Sequence, residues 1–305
     1  MLRKLVIALA IAVIVGAGAF WILTIPKSVP ASALGPHQAD LANGRTMFDA
    51  GGCSGCHAVP NAEDKTRLGG GLALKSPFGT FHVPNISPDR ADGIGAWSEA
   101  DFVTALTRGT APDGRHYYPA FPYTSYQRMT VNDVRDLFAY LKTLPPVAGK
   151  AGDHELPFPY NVRRGLGLWK LLYVDGEPLR PDPAKPAMLN RGAYLVEGPG
   201  HCAECHSPRN AIGGILAAQR FAGGPNPEGK GWIPNITRKE LGDWSDKDIA
   251  YLLETGQTPD GDSVGSSMAE VVRHTALLAP ADRDAIAAYV KALPPVEGPK
   301  PQKKK

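Results

Sequence analysis

Residues 53–57 read CSGCH, and residues 202–206 read CAECH. Each of these two C-x-x-C-H stretches opens a series of blocks that recurs in the same order: an Asn block (PNIS, PNIT), a Trp-led block ending in PDG, and a closing block ending in LPPV. In the first half the later blocks lie at 84–87, 97–114 and 131–147, and in the second half at 234–237, 244–261 and 281–296. Such ordered recurrence indicates an internal duplication. The chain is therefore predicted to consist of two similar units.

The repeated blocks predict helices with defined ends. Ser98 with Asp101, and Ser245 with Asp248, form capping-box patterns at helix starts, and Gly109 and Gly256 follow as helix stops. The closing blocks have an apolar helical face and end at paired prolines. A further helix is expected before each cysteine motif, around 40–50 and 189–198. Sustained period-two alternation is absent, so strands are expected to be incidental and the fold class all-α.

The N-terminal region carries an apolar run without charge from Leu5 to Ile25, preceded by Arg3 and Lys4. It is long enough to cross a bilayer, for which about 20 residues are needed. The basic residues before it predict a cytoplasmic N-terminus, with the rest of the chain on the other side. An ASA sequence at 31–33 keeps a cleaved signal peptide as the alternative. Both interpretations export the body of the protein.

The composition further restricts the classes of protein to which the chain can belong. The chain has 305 residues, an apolar share of 43% and a net charge of +3, which suits two globular units. The lysines of the last segment form the sole basic run, so a nucleic-acid-binding face is not expected. The stretch 148–186 is rich in Pro and Gly and is predicted to be a linker, with a short packed helix within 162–174.

The four cysteines all lie in the two C-x-x-C-H motifs. In an exported protein such pairs could form a disulfide, a redox pair or half of a zinc site. Zinc knuckles are usually about 15 to 20 residues apart, and redox pairs accompany a βαβ pattern, and neither feature is present. Covalent haem fits best: Cys53 and Cys56, and likewise Cys202 and Cys205, would bond the porphyrin vinyl groups. The adjacent His57 and His206 would then be the proximal iron ligands.

The order helix, C-x-x-C-H, loop, Trp-led helix, ligand loop and closing helix resembles class I cytochrome c domains. More narrowly, GGCSGCH, PNIS and the loop PDGRHYYPAFPYTSY resemble the membrane-bound multihaem cytochrome c subunits of periplasmic alcohol, gluconate and aldehyde dehydrogenases. The resemblance implies two tandem class I cytochrome c domains and two covalently bound haem c groups. The expected boundaries are an anchor at 1–34, domains at 35–147 and 187–297, the linker at 148–186 and a basic tail at 298–305. Those subunits typically have three haem domains, whereas this chain has two motifs.

The resemblance also implies residues that bind the haem propionates. An asparagine and a tryptophan do so in such domains, which assigns Asn85 and Trp97 to the first haem and Asn235 and Trp244 to the second. The alternative roles are a turn-forming Asn and a core Trp.

The two halves differ in the residue that is available as the sixth iron ligand. In the second half Met268 follows the PDG turn by seven residues and is the expected ligand, although Met also fills gaps in cores. The same position in the first half is Phe121, which has no lone pair to donate. Met129 is the candidate there. Counting back from the closing helix, however, Met129 aligns with Leu278, which indicates an apolar core residue.

Other possibilities for the sixth coordination position of the first iron stay open. His82 is the nearest imidazole, though its place before PNIS suggests a propionate contact, and His116 lies in the ligand loop itself. An open sixth position is the third alternative. The remaining histidines, at 37, 154, 201 and 274, are expected to be solvated.

These features favour a membrane-anchored dihaem cytochrome c that transfers electrons between a periplasmic dehydrogenase or respiratory complex and a downstream acceptor. Its place would be the periplasmic face of the inner membrane, or the soluble periplasm after signal cleavage. No constellation of acid, base and nucleophile suggests a catalytic pocket, so a carrier is favoured over an enzyme. The alternative is a dihaem enzyme, a peroxidase or sulfur-compound oxidoreductase, with an open or replaceable ligand at the first haem.

Overall fold

A computed structural model describes residues 1–227 and 231–300, and within these ranges the chain is mainly helical. The first half contains α1 (Leu2–Leu23), α2 (Leu41–Ala50), α3 (Cys53–His57), α4 (Glu99–Arg108), α5 (Tyr123–Tyr126) and α6 (Val131–Leu141). The linker contains α7 (Leu166–Tyr173). The second half contains α8 (Ala187–Glu197), α9 (Ala203–His206), α10 (Asp246–Thr255), α11 (Ser267–Thr275) and α12 (Pro280–Ala292).

Two short antiparallel hairpins qualify the predicted all-α class. Strands β1 (Ala73–Ser76) and β2 (Gly79–His82) pair in the first half, and β3 (Gly224–Pro225) and β4 (Trp232–Ile233) pair in the second. Each hairpin lies between the cysteine motif and the Asn block. The strands have four and two residues, too few to show a period-two pattern in the sequence.

The same two helices pack against each other in each half, α2 with α6 and α8 with α12. A glycine permits each close approach. A Cβ atom built on Gly44 would lie 2.2 Å from the carbonyl oxygen of Asp136, and one on Gly192 would lie 1.9 Å from that of Ala285. Both distances are far inside van der Waals contact. Any larger residue would push the helix pair apart.

The predicted helix ends are confirmed. Ser98 and Asp101 exchange the two hydrogen bonds of a capping box at the start of α4, and Ser245 and Asp248 do so at α10. Gly109 (φ +57°) and Gly256 (φ +77°) end these helices in the left-handed region. The helices expected before the cysteine motifs are α2 and α8, and the expected linker helix is α7.

Helix α1 is a single helix of 22 residues, long and apolar enough to cross a membrane. None of its residues is buried against the rest of the protein. It ends at Leu23, two residues before the end of the uncharged run. The basic tail predicted at 298–305 lies outside the described residues from 301 onward.

Candidate haem sites

The two cysteine motifs form short helices. In the first, α3 spans the whole CSGCH stretch, and in the second, α9 begins one residue after Cys202. Helical spacing places the two cysteines of a motif on one face of the turn, three residues apart, with the histidine next to the second cysteine. This geometry is what attachment to two vinyl groups of one porphyrin requires.

The motif histidines are held in the same way in both halves. His57 Nδ1 lies 2.8 Å from the carbonyl oxygen of Pro84, and His206 Nδ1 lies 2.8 Å from that of Pro234. Because the acceptor is a carbonyl, Nδ1 carries the hydrogen and Nε2 keeps a free lone pair. A backbone hydrogen bond of this kind is the usual support for a metal-bound imidazole. The donor set therefore fits an iron ligand at Nε2 in each half.

The electrostatics of these histidines favour the neutral ring. Burial lowers the pKa of His57 to about 4, although its hydrogen bond to Pro84 acts in the opposite direction. Burial also lowers the pKa of His206. An imidazole must be neutral to bind a metal, so both rings are in the ligating form at neutral pH.

The first cysteine of each motif is electrostatically unsuited to thiolate chemistry. Burial raises the pKa of Cys53 to about 12 and that of Cys202 to about 12, with the neighbouring motif cysteine adding to the rise. Reactive redox cysteines have lowered pKa values instead. Cys53 and Cys202 therefore lack the lowered pKa that is typical of a redox pair.

The two asparagines of the PNI blocks fix the loop that supports the histidines. The side-chain amide of Asn85 donates to the carbonyl of Val147 at 2.6 Å, and that of Asn235 donates to Val296 at 2.8 Å. Each side-chain oxygen accepts from the backbone N–H two residues on, at 2.8 Å. Both asparagines thus tie their loop to the segment after the closing helix. Their contact with haem propionates stays a prediction.

Trp97 and Trp244 occupy equivalent places directly before α4 and α10. Both are half-buried and pack against the hydrophobic core. Their backbone N–H groups donate to the residue three positions earlier, at 3.1 Å for Trp97 and 3.3 Å for Trp244. The role of their indoles toward propionates stays a prediction.

Met268 and Met129 lie in different environments. Met268 is in the first turn of α11 and is half-buried against the core. Met129 is 1% exposed, between α5 and α6. A Cβ built on Gly198 would lie 3.6 Å from Met129 Cγ, so this side chain packs against the end of α8 in the other half. Its alignment partner Leu278 is also buried, at 4% exposed, and both donate their N–H to the third preceding carbonyl.

Phe121 lies in an aromatic group. Its ring centroid is 5.5 Å from that of Tyr117, 6.2 Å from Tyr123 and 5.6 Å from Tyr126. Burial raises the pKa of Tyr126 well above its ordinary value, and the nearby Cys53 and Cys56 raise it further. Tyr126, in the loop that contains Phe121, is thus close to the first cysteine motif.

Both imidazole alternatives for the first iron have other partners. His116 is 3% exposed, and its Nε2 lies 2.9 Å from the carbonyl oxygen of Thr24, at the end of α1. His82 Nε2 lies 2.9 Å from a carboxylate oxygen of Glu155. Both rings are thus hydrogen-bonded to protein groups in this structure.

The expectation that the remaining histidines are solvated is wrong, because none of the four is exposed and each has a protein partner. His37 Nε2 lies 2.6 Å from a carboxylate oxygen of Asp136, and His154 Nδ1 accepts from the backbone N–H of His82 at 3.1 Å.

The other two histidines, His201 and His274, lie between the halves. His274 is 8% exposed, and its Nε2 lies 3.3 Å from Ser54 Oγ in the first motif. His201 Nε2 lies 3.2 Å from the carbonyl oxygen of Gly51. Burial lowers the pKa of both rings. Sequence periodicity gave no signal for these contacts.

Glu204, inside the second motif, contacts the first half of the chain. Its Oε1 accepts from Thr124 Oγ1 at 2.5 Å and from Ser125 Oγ at 3.1 Å, both in the first ligand loop. Its other oxygen pairs with Arg209 at 2.6 Å. Burial acts to raise the pKa of Glu204, but Arg209 and the hydroxyl donors outweigh it and the pKa is lowered. Each cysteine motif is thus covered by the ligand region of the other half.

Comparison with known proteins agrees with this geometry. The cytochrome c family model matches residues 41–145. The chain is 49% identical to a protein named diheme cytochrome c-type from Cereibacter sphaeroides, over 97% of this chain and 100% of that protein. It is 38% identical to the fructose dehydrogenase cytochrome subunit of Gluconobacter japonicus, over 88% of this chain and 55% of the subunit. It is 34% identical to the gluconate 2-dehydrogenase cytochrome c subunit of Pantoea cypripedii, over 86% of this chain and 62% of the subunit.

Proposed function

Because the chain belongs to the cytochrome c family, whose members bind haem c covalently, we propose that it is a membrane-anchored carrier with two haems. Residues 35–147 and 187–297 form tandem class I cytochrome c domains in this proposal, joined by the linker at 148–186. Each haem, when bound, carries one electron by cycling its iron between the ferric and ferrous states. The protein's part is to hold, ligate and bury the two groups.

The observation that carries the proposal is the matched support of the two histidines. The bonds from His57 to Pro84 and from His206 to Pro234 have the same length and sit in the same repeated frame. In the proposal these rings are the proximal ligands, and the two cysteines of each motif form the thioether bonds. Met268 is the sixth ligand of the second iron, and Met129 that of the first. Asn85, Trp97, Asn235 and Trp244 surround the propionates.

The contacts between the halves support electron exchange within the chain. Gly51 and Ser54 of the first motif touch His201 and His274 of the second half, and Glu204 of the second motif touches the first ligand loop. The two haem-binding peptides are therefore direct neighbours. An electron that enters at one haem has a short route to the other.

The anchor and the partner are inferred from α1 and from the relatives. Arg3 and Lys4 before the apolar run support an orientation with the body on the periplasmic side of the inner membrane. Several relatives are named as cytochrome subunits of fructose, gluconate or alcohol dehydrogenases. A periplasmic dehydrogenase or a quinol-oxidising complex is the proposed electron donor, and a respiratory acceptor takes the electrons.

Haem stoichiometry and redox titration test this function. The purified holoprotein should contain two covalent haems per chain, and titration should show two one-electron steps without peroxide turnover. The pairs Cys53→Ser/Cys56→Ser and Cys202→Ser/Cys205→Ser are matched variants that should each lose one haem. One haem in the parent protein, or loss of both in either variant, contradicts two independent sites.

Phe121 supports a second candidate, a dihaem enzyme of the peroxidase or sulfur-compound oxidoreductase class. The equivalence of Met129 and Leu278 acts in the same direction, since both are buried core positions. In this candidate the first iron has an open sixth position that accepts a small substrate. Fast turnover of peroxide by the reduced holoprotein would select it over the carrier.

A further inference from the structure

The linker helix α7 exposes three leucines and buries a lysine. Leu168, Leu171 and Leu172 are 41%, 50% and 68% exposed. Their spacing of three and four residues places them on one face. The buried side of the helix holds Gly167, Trp169 and Lys170. A helix covered by water would have this arrangement reversed, with lysine outside and leucine inside.

Lys170 is committed to the interior. Its ammonium donates to the carbonyl oxygen of Gly109 and lies 3.4 Å from Thr110 Oγ1 and 5.2 Å from the ring centre of Tyr123. Burial lowers its pKa to about 7. The buried lysine fixes the rotation of α7 about its axis. The three leucines therefore cannot turn into the core unless these contacts break.

The start of α7 is fastened to the end of α1. A Cβ built on Gly167 would lie 2.5 Å from Thr24 Cβ, so this glycine allows direct contact between the two segments. Arg164 Nε donates to Thr24 Oγ1 at 2.8 Å, and its Nη2 donates to the carbonyl of Trp21 at 2.9 Å. His116 binds the carbonyl of Thr24 from the other side. Thr24 is fully buried as a result, although α1 itself is exposed along its length.

The apolar surfaces of α7 and α1 are therefore continuous at this end of the molecule. Trp21, Ile22 and Ile25 are 63%, 67% and 54% exposed beside the fastened junction. The guanidinium of Arg164 lies 4.3 Å from the ring centre of Trp21. Tryptophan and arginine at the end of an apolar helix are typical of the level of lipid headgroups.

We propose that α7 is a second membrane contact, lying in the bilayer interface with Leu168, Leu171 and Leu172 among the lipid acyl chains. This inference rests on the proposed anchor, since α1 must cross the same membrane. Apolar residues on one face are what binds an interfacial helix to lipid. The indole N–H of Trp169 donates to the carbonyl of Ile212 at 2.9 Å, so α7 also holds the second half. The contact would set the orientation of both haem sites relative to the membrane.

Photo-crosslinking from lipid tests the inference on the full-length holoprotein. The protein is reconstituted into phosphatidylcholine vesicles that contain a lipid with a diazirine in its acyl chain, and crosslinked peptides are mapped by mass spectrometry. Crosslinks are expected in α1 and in α7, but not around Leu277, which is 58% exposed in the turn between α11 and α12. Leu171→Glu/Leu172→Glu should lose most α7 crosslinks and keep those in α1.

The outcomes separate this inference from the anchor. Crosslinks in α1 without crosslinks in α7 overturn the inference and leave the anchor standing. Absence of crosslinks in both overturns both. Equal labelling at α7 and Leu277 shows unspecific contact and also overturns it. A Leu172→Cys variant completes the test: its thiol should be protected from an aqueous maleimide in vesicles, and protection without lipid crosslinks, as a second copy of the chain would give, counts against lipid.

Discussion

The two ligand loops begin alike and then diverge. After Gly261, the second loop runs into α11, a nine-residue helix with Met268 in its first turn. After Gly114, the first loop forms only the four-residue α5, with Phe121 in the corresponding place. The supports on the other side of each site, from the motif helix to the histidine–carbonyl bond, are the same in both halves. The two halves thus share the supports of the proposed proximal ligands and differ in the loops that would supply the distal ligands.

Replacement of Met268 by alanine should have the largest effect on this comparison. Loss of the thioether should make one haem high-spin and lower its potential by on the order of 100 mV, within the roughly 0.8 V range that axial ligands cover. Optical spectra and a redox titration measure both changes. Met188→Ala is the matched control, because Met188 is 50% exposed on α8. An unchanged spectrum in Met268→Ala removes this residue from the ligand set.

Replacement of Met129 by leucine tests the first half in the same way. Leucine keeps nearly the same volume, so the change should cost under about 1.5 kcal/mol of folding stability. If Met129 is the ligand, one haem, and only one, loses its low-spin spectrum or shifts to a lower potential. Leu278→Met is the matched control at the aligned position. An unaltered haem spectrum in Met129→Leu would place Met129 in the core, next to Gly198.

The third residue of the cysteine motif is Gly55 in the first half and Glu204 in the second, and their contacts with the other half differ in strength. Glu204→Ala tests the stronger contact. This variant leaves Arg209, Thr124 and Ser125 without their carboxylate, which should cost about 2 to 4 kcal/mol. Gly55→Ala is the counterpart in the first motif. Its new methyl group would lie 3.4 Å from His274 Nε2, an ordinary contact, so under about 1 kcal/mol is expected. Equal losses in denaturant unfolding of the two variants would contradict the asymmetry.

A further prediction concerns Lys170, which ties the linker to the first half only. Its pKa of about 7 in the folded protein lies below the ordinary lysine value of roughly 10.4. The unfolded chain therefore binds more protons between these values, and stability should rise with pH across that window. Lys170→Met should flatten this rise by on the order of 2 kcal/mol, measured by unfolding at pH 6.5 and 9.5. Lys150→Met, at an exposed site, is the control, and equal profiles for the two variants contradict the prediction.

Local features of this protein could be predicted from its sequence because they depend on neighbouring residues. The capping boxes at Ser98 and Ser245, the stops at Gly109 and Gly256 and the helix before each motif all follow from short patterns. The contact of His274 with Ser54 could not be predicted, since 220 residues separate the partners and neither belongs to a periodic pattern. The sequence predicts a packed helix within 162–174, but only the buried contacts of Lys170 and the contact of Gly167 with Thr24 show which face of α7 is turned away from the core.

The ligands of the first iron decide whether this chain is a dihaem electron carrier. Near-infrared magnetic circular dichroism of the oxidised holoprotein distinguishes His/Met, His/His and high-spin haem. For a carrier, low-spin His/Met signals from two haems per chain are expected. A high-spin signal from half of the haem, at the site covered by Phe121, would contradict this function.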